Sequence, residues 1–391
     1  MLKIVEVKTR RQLRDFIMFP FKLYKDNPYW VPPLIIDEVN TLMENKNPAF
    51  EYCRAKYWLA YKDGKLAGRI AGIINKRANK KWDRDHARFG WFDLIDDREV
   101  ANGLLKTVED WALAEGLSGV HGPMGFCDLD KEGLLVEGFD EPGSFTTIYN
   151  HPYYVEYLEE NGYEKDVDWV EYRIKVPTEL PESILKIAKR IQDRLGVRLV
   201  SFKKAKDILP YGQEIFQVLN DAYKDLYGVV ALTEAQIDFY IKQYFSSINP
   251  DYVKIVLDKE GKLAAFGIGI PSLGEAFQKT KGRLFPFGFL KILRAIKKNE
   301  NLDLLLVAVR PDMQNKGVNS LLMTSIAEEC WKNGITTAYC NPELEDNYKI
   351  QAQWKYFDKT QHKRRRCYHK TIKSSDANAE AQDYGYLTQQ L

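Results

Sequence analysis

The chain has no apolar run long enough to cross a bilayer, which takes about 18 or more consecutive apolar residues. Its longest candidate, Leu284–Ile296, is shorter and carries Lys291 and Arg294. That segment reads as an amphipathic helix packed against the protein, with a membrane-surface role as the alternative. Cysteine is scarce: Cys53, Cys127, Cys330, Cys340 and Cys367 are scattered, odd in number and without C-x-x-C spacing. This argues against a disulfide framework and against a zinc site, so no metal is expected. A large charge imbalance is missing too. With 57 Lys and Arg against 55 Asp and Glu, the net charge is +2, too little to steer the chain onto DNA and unfavourable for RNA. A small anion in a local pocket stays open. Met1–Lys8 alternates like a strand and has no charged, apolar and small-residue export pattern, so a cytoplasmic protein with reduced thiols is expected.

What the chain has is globular composition: 45% hydrophobic, 13% aromatic and 29% charged residues over 391 positions, enough for two cores. Residues 1–176 alternate strands and helices and end on the strand pattern Tyr172–Val176. Pro177 and Pro181 then bracket a turn before a helical stretch, Glu182–Leu195, in a linker spanning 177–196. From Val197 the same order repeats up to residue 373, and a polar tail covers 374–391. The hairpins correspond by pattern, Tyr57–Ile74 with Val253–Ile270, turning at Asp63-Gly64 and Glu260-Gly261. In each half a strand (Phe89–Leu94; Leu302–Val309), a helix (Val100–Glu115; Gly317–Asn333) and a short strand follow, which points to duplication.

The most informative segment is Leu304–Ala327, a buried strand running through Gln314-Asn315-Lys316-Gly317-Val318-Asn319 into a helix. Amides of a first helical turn have no intrahelical acceptors. Together with the helix dipole and the positive charge of Lys316, they suit a pyrophosphate. This segment resembles the coenzyme loop of the GNAT (GCN5-related N-acetyltransferase) family, Gln or Arg, two residues, Gly, one residue, Gly or Ala. Asn319 departs from the small last residue, which places a larger side chain where a phosphate oxygen is expected.

The resemblance implies an α/β (α+β) fold of two tandem GNAT-like domains, each a mixed central sheet flanked by helices. It implies that acetyl-CoA or another acyl-CoA is held by Val307 and Val309 on the splayed strand, by Gln314–Asn319, and by Asn347, which matches the family's Asn at the pantetheine arm. Seven residues beyond Asn347 the family has a Tyr acid. Here stands Trp354, no useful proton donor, so Tyr348 and Tyr356 are the nearby substitutes. Trp354 and Phe357 themselves read more simply as core. Asp303 and Glu343 are candidate bases by position alone.

The first half lacks a glycine in its matching turn, and Asp93, Asp96, Asp97 and Glu99 would repel a pyrophosphate. It carries instead a Gly- and aromatic-rich insertion. There, either Glu137, Asp140, Asn150, His151 and Tyr154 line a ligand groove, or the loop seals the interface between the halves. The implied reaction is acyl transfer to a small-molecule or peptide amine. The alternatives are a tandem enzyme resembling transfer-RNA-dependent peptidyl transferases or N-myristoyltransferases, and a binding module without chemistry.

Overall fold

A computed structural model describes residues 1–180, 182–245 and 248–372; the expected tail at 374–391 lies outside them. The first half runs β1 (Leu2–Glu6), α1 (Arg10–Leu23), α2 (Ile35–Leu42), β2 (Cys53–Lys62), β3 (Lys65–Asn75), α3 (Lys76–Trp82), β4 (His86–Leu94), α4 (Arg98–Ala114), β5 (Gly119–Gly122), β6 (Leu134–Glu137), α5 (Tyr153–Glu160) and β7 (Glu164–Lys175). After α6 (Glu182–Leu195), the second half runs β8 (Arg198–Ser201), α7 (Gly212–Tyr223), α8 (Glu234–Tyr244), β9 (Val253–Leu257), β10 (Leu263–Pro271), α9 (Gly274–Thr280), α10 (Gly288–Lys297), β11 (Asn301–Val309), α11 (Val318–Lys332), β12 (Thr337–Cys340), β13 (Glu343–Leu344), α12 (Tyr348–Gln351) and β14 (Lys359–Thr371).

Local chemistry sets these elements where the sequence signals stood. Thr9 with Gln12 and Thr233 with Gln236 form capping boxes that start α1 and α8. Asp63 and Gly64 both take positive φ, 50° and 77°, the tight hairpin turn whose twist matches its strands. The linker helix has the expected bounds. The amphipathic segment forms α10, but most of its large apolar side chains stay outside the core: Phe285, Phe287, Phe289, Leu290 and Leu293 are all exposed. The expectation that it packs against the protein holds only for Ile292, Ala295 and Ile296.

The two halves share one sheet, ordered β1-β2-β3-β4-β5-β14-β7-β12-β11-β10-β9-β8. Each half pairs its fourth and fifth strands in parallel, β4 with β5 and β11 with β12. The strand that ends each half then crosses to the other: β7 lies against β12, and β14 against β5. Between them β7 and β14 pair antiparallel over nearly their whole length.

Charge pins this central pair on both faces, because successive strand side chains alternate. On one face Glu171 accepts from Arg365 and lies 4.0 Å from Lys363. On the other, Asp168 accepts from Arg364 (3.1 Å) and from Arg366 (2.8 and 3.0 Å). Burial pushes the Glu171 carboxyl up, but the Arg365 and Lys363 cations outweigh it and hold it below its usual range. Both Glu171 and Arg365 are almost fully buried. Removing one partner of such a pair strands the other, at a cost of roughly 3–5 kcal/mol, whereas replacing both by apolar side chains is often neutral. Glu171→Leu, which strands both cations, is therefore expected to lower unfolding free energy by about that amount in a denaturant titration, and Glu171→Leu with Arg365→Met and Lys363→Met to recover most of it.

Candidate active site

In the second half β11 and β12 pair only from Asn301–Leu304 against Thr337–Cys340, after which β11 continues to Val309 paired with β10 alone. The parting comes with a bulge: the register with β10 steps from Ile268↔Leu306 to Gly269↔Leu304, leaving Leu305 unmatched. The Arg310 N–H donates to the Ala264 carbonyl (2.8 Å). That fixes the alternation, so the N–H and C=O of Val307 and Val309 point away from β10 into the gap. Their carbonyls are used: Val307 accepts from the Tyr223 hydroxyl (3.0 Å) and Val309 from the Gln314 side chain (3.0 Å). Asn341 Nδ2 donates to Leu305 (2.7 Å) across the fork. Among the described residues no partner meets the N–H groups of Val307 and Val309.

Beyond the gap, the chain turns through Pro311–Met313 into the loop before α11. The Gln314 N–H bonds to Pro311 (3.3 Å) and the Ser320 N–H to Gly317 (3.0 Å). Among the described residues the amides of Asn315, Lys316 and Gly317 have no backbone acceptor, and Val318 and Asn319, opening α11, have no preceding turn to bond. Asn315 and Gly317 take positive φ, 59° and 87°, which curves these N–H groups into a concave nest. Gly317 itself is explained from inside the protein rather than by ligand approach. A Cβ there would stand 2.6 Å from Ile191 Cδ1 of α6, and Arg194 donates to the neighbouring Lys316 carbonyl (3.1 Å). The linker helix thus covers one side of the loop and leaves the amide side. The Asn319 side chain is engaged inside the protein: its Nδ2 donates to Gln353 (2.8 Å), and Gln353 donates to Glu343 (3.3 Å).

Glu343 sits on β13, opposite Val170 of β7. One carboxylate oxygen accepts from Trp354 Nε1 (2.8 Å) and Gln353, while Oε2 is buried with no partner. Burial pushes the carboxyl up to about 7, against the lowering pull of the Trp354 and Gln353 hydrogen bonds. Burial likewise pushes Asp303 up to about 7, and its Oδ2 is also unpartnered. The two candidate bases are not brought together. Leu302 and Leu304 pack with Trp354 on the Glu343 face, so the intervening Asp303 points to the other face, where Ser272, Lys363 and Glu171 surround it.

Tyr348 is 76% exposed and reaches none of these groups; the Tyr356 side chain lies outside the described residues. Asn347 caps α12, its Oδ1 accepting the Ile350 N–H (3.3 Å), which leaves its amide NH₂ as the part free to meet a ligand. Trp354 and Phe357 line an apolar cavity of about 30 Å³ together with Leu302, Leu304, Ile326 and Ala338. Tyr223 was missed by sequence reasoning, since a tyrosine in an amphipathic helix carries no signal of the strand it will touch. Its hydroxyl holds Val307 and lies within electrostatic reach of Glu343.

The matching place in the first half is closed. The Leu94 N–H and C=O, facing the gap there, bond to the Tyr154 hydroxyl at 2.8 and 3.1 Å. Asp97 caps α4 by accepting from Val100 (3.2 Å), so the helix start that would draw an anion carries its own carboxylate. Asp93 is held by Arg69 (2.8 Å) and Tyr24 (3.0 Å). Nor does the insertion gather the five residues expected of a groove. Glu137 pairs with Arg364 (3.2 Å) and Asp140 is exposed. Asn150 is buried, clamped on the Leu135 backbone through both its side-chain atoms. His151 stacks between Tyr24 and Tyr153, where burial lowers its pKa. The loop instead ties the halves together: Arg365 donates to Ile148, Lys363 to Pro142, and Phe145 packs edge-on against Phe277.

No protein-family model matches the chain. It is similar to the bacterial ceramide synthase of Caulobacter vibrioides (strain NA1000 / CB15N), 30% identical over 300 residues that make up 76% of this chain and 77% of that protein. It is similar also to Protein YghO of Escherichia coli (strain K12), 27% identical over 370 residues, 93% of this chain and 94% of that protein. In three dimensions it follows a tandem GNAT protein from the clavulanic acid biosynthesis pathway over 96% of this chain and 100% of that one, at a TM-score of 0.56 and 11% identity. The GCN5-related glucosamine N-acetyltransferase region of a fungal multi-domain β-N-acetylglucosaminidase aligns over 95% of this chain and 38% of that one, at a TM-score of 0.54 and 10% identity. At such identities the likeness is one of fold.

The covered glycine makes its own test. Gly317→Ala forces a side chain into a positive-φ position, worth about 1–3 kcal/mol of strain, and against Ile191. The substitution is expected to lower thermal stability, and Ile191→Ala in the same chain to return the part due to the clash; additive losses would show that the two residues do not touch.

Proposed function

We propose that this chain, which belongs to the family of the bacterial ceramide synthase and has a tandem GNAT-like fold, is an acyl-CoA-dependent N-acyltransferase acting on the amine of a long-chain base. The observation that carries this reading is Glu343. It is a half-buried carboxyl whose pKa is raised to about 7, with its Oε2 unpartnered among the described residues, beside a parted strand edge whose N–H groups are unspent. A general base works best when its pKa lies near the working pH, and unpaired amides are the groups that steady charge developing on a carbonyl oxygen.

The amide side of the loop fits a pyrophosphate. Asn315–Asn319 would hold it with backbone N–H groups, and Lys316 would add charge at the rim. Val307 and Val309 would take the arm, with the Asn347 amide beyond. Bound there, acyl-CoA supplies an acyl carbonyl and a thiol leaving group. The chain's own part is to orient the amine and to remove its proton: Glu343 Oε2 accepts it, while Trp354 and Gln353 keep the other oxygen in place. The bonded line from Asn319 through Gln353 to Glu343 couples the start of α11 to the base. No side chain here replaces the tyrosine acid, so the thiolate leaves toward solvent or takes the proton that Glu343 carries.

The relative's name moves the donor from acetyl toward fatty acyl, since a ceramide is the amide of a fatty acid and a long-chain base. The apolar cavity beside Trp354 has room for about one water molecule, so a fatty chain enters only if Trp354 and Phe357 swing aside. A ligand-binding module without chemistry is favoured by one observation, Trp354 in the place of the tyrosine acid, its indole N–H spent on Glu343. Turnover separates the two readings.

Thiol release and amide formation are to be measured by absorbance and mass spectrometry, with palmitoyl-CoA or acetyl-CoA and sphinganine as acceptor. Coenzyme binding without turnover would favour the binding module, and no binding at millimolar coenzyme would sink both. Activity should rise with pH and level off above about 7, as Glu343 loses its proton. Glu343→Gln should lower kcat by about 10²–10⁴ and abolish that limb. Stability gives the opposite sign. A carboxyl whose folded pKa is raised resists ionisation, so its burden on the fold grows from the ordinary carboxylate range up to about 7; above pH 7 the Gln variant is expected to melt higher than the parent.

A further inference from the structure

Helix α10 and the turn before it carry an apolar surface that the protein leaves uncovered. At about 100° per residue, Ala295, Ile292, Ile296, Phe289, Leu293 and Leu290 follow one another around the helix in an arc of roughly 200°. The fold covers only half of it: Ile292, Ala295 and Ile296 pack against the cluster of Val31, Ile270, Leu273 and Phe277. Phe289, Leu290 and Leu293 remain 39%, 53% and 49% exposed, and Phe285 and Phe287 just before them 77% and 70%. Five large apolar side chains left out together are unusual on a protein that meets only water.

The charge around them has one sign. From Ala276 to Asn299 there is no Asp or Glu, and there are seven cations: Lys279, Lys281, Arg283, Lys291, Arg294, Lys297 and Lys298. Lys279 pairs with Glu275 (2.7 Å); among the described residues no carboxylate lies within ion-pair distance of the other six. Aromatic and aliphatic side chains beside a cationic face match the boundary of an anionic bilayer, where rings enter the headgroup region and lysines meet lipid phosphate. A second copy of the chain is a poor occupant, because a two-fold contact through this face would set the same cations against each other.

We propose that α10, with Phe285 and Phe287, is an interfacial anchor that docks the protein on anionic lipid membranes. The helix does not span: no helix among the described residues is long and apolar enough to cross a membrane. Its inner face packs into the cluster of Val31, Ile270, Leu273 and Phe277, which also takes Leu305, the residue bulged out of register where β11 leaves β12. The anchor therefore holds the parted strands next to the lipid surface. This inference goes beyond the acyl-transfer reading and does not depend on it.

The test is co-sedimentation of the full chain with vesicles of phosphatidylcholine alone and of phosphatidylcholine mixed with phosphatidylglycerol, at low and high salt. The wild-type chain is expected to pellet with the mixed vesicles, to keep part of that binding at high salt, and to bind the neutral ones weakly. Phe285→Ser with Phe287→Ser, both at exposed positions, is expected to bind at least tenfold more weakly while its melting temperature is unchanged. Leu290→Ser gives a second variant should the pair misfold. A wild-type chain that stays in solution overturns the proposal. So does binding abolished by salt and indifferent to the Phe variants, which would mark a plain polyanion site, or a dimer in light scattering that the same variants dissolve.

Discussion

The pairing of β7 with β14 is the constraint on which the molecule depends. These two strands end the two halves of the chain, yet each lies against the other half's fifth strand, so neither half completes a sheet alone. Buried charges hold them in register, Glu171 with Arg365 and Lys363 on one face and Asp168 with Arg364 and Arg366 on the other. The same strand β7 carries β13, and β13 carries Glu343. The Glu343 carboxyl, the base of the proposed reaction, is thus positioned by a strand from the opposite half.

The two halves repeat one plan and spend it differently. In each, the fourth strand leaves the fifth and turns backbone groups into the gap. In the first half a tyrosine hydroxyl meets those groups at Leu94, and an aspartate caps the helix that follows. In the second half, among the described residues, the N–H groups at Val307 and Val309 and the loop amides are left unmatched. A backbone donor without a protein partner must find another one, and that asymmetry, more than the shared fold, separates a scaffold from a site. The insertion after β5 serves the first role: its aromatics and carbonyls lock the halves around the buried charges.

Much of the plan was legible. Hydrophobic alternation, the Asp63-Gly64 turn, the prolines around α6 and the loop at Gln314–Asn319 each act within a few residues, so the sequence alone locates them. In the acidic turn of the first half, Asp97 works as a cap on its own helix. The five residues from Glu137 to Tyr154 left a groove and an interface seal both open, for the opposite reason. Their polarity suggested a ligand, but each is answered or left exposed according to partners that the local pattern does not name, such as Leu94 for Tyr154 and Leu135 for Asn150.

By itself the sequence determined the tandem GNAT-like grammar, the coenzyme-like loop and the amphipathic character of the segment that becomes α10, since all three rest on periodicity and short-range backbone chemistry. Only the tertiary structure decided which strands close which half, and that Asp303 and Glu343 face opposite sides of the sheet. It decided too that Ile191 covers Gly317 and that α10 keeps its aromatics outside. These outcomes turn on residues far apart in the chain meeting in space, where burial and the supply of partners, not spacing, set the result.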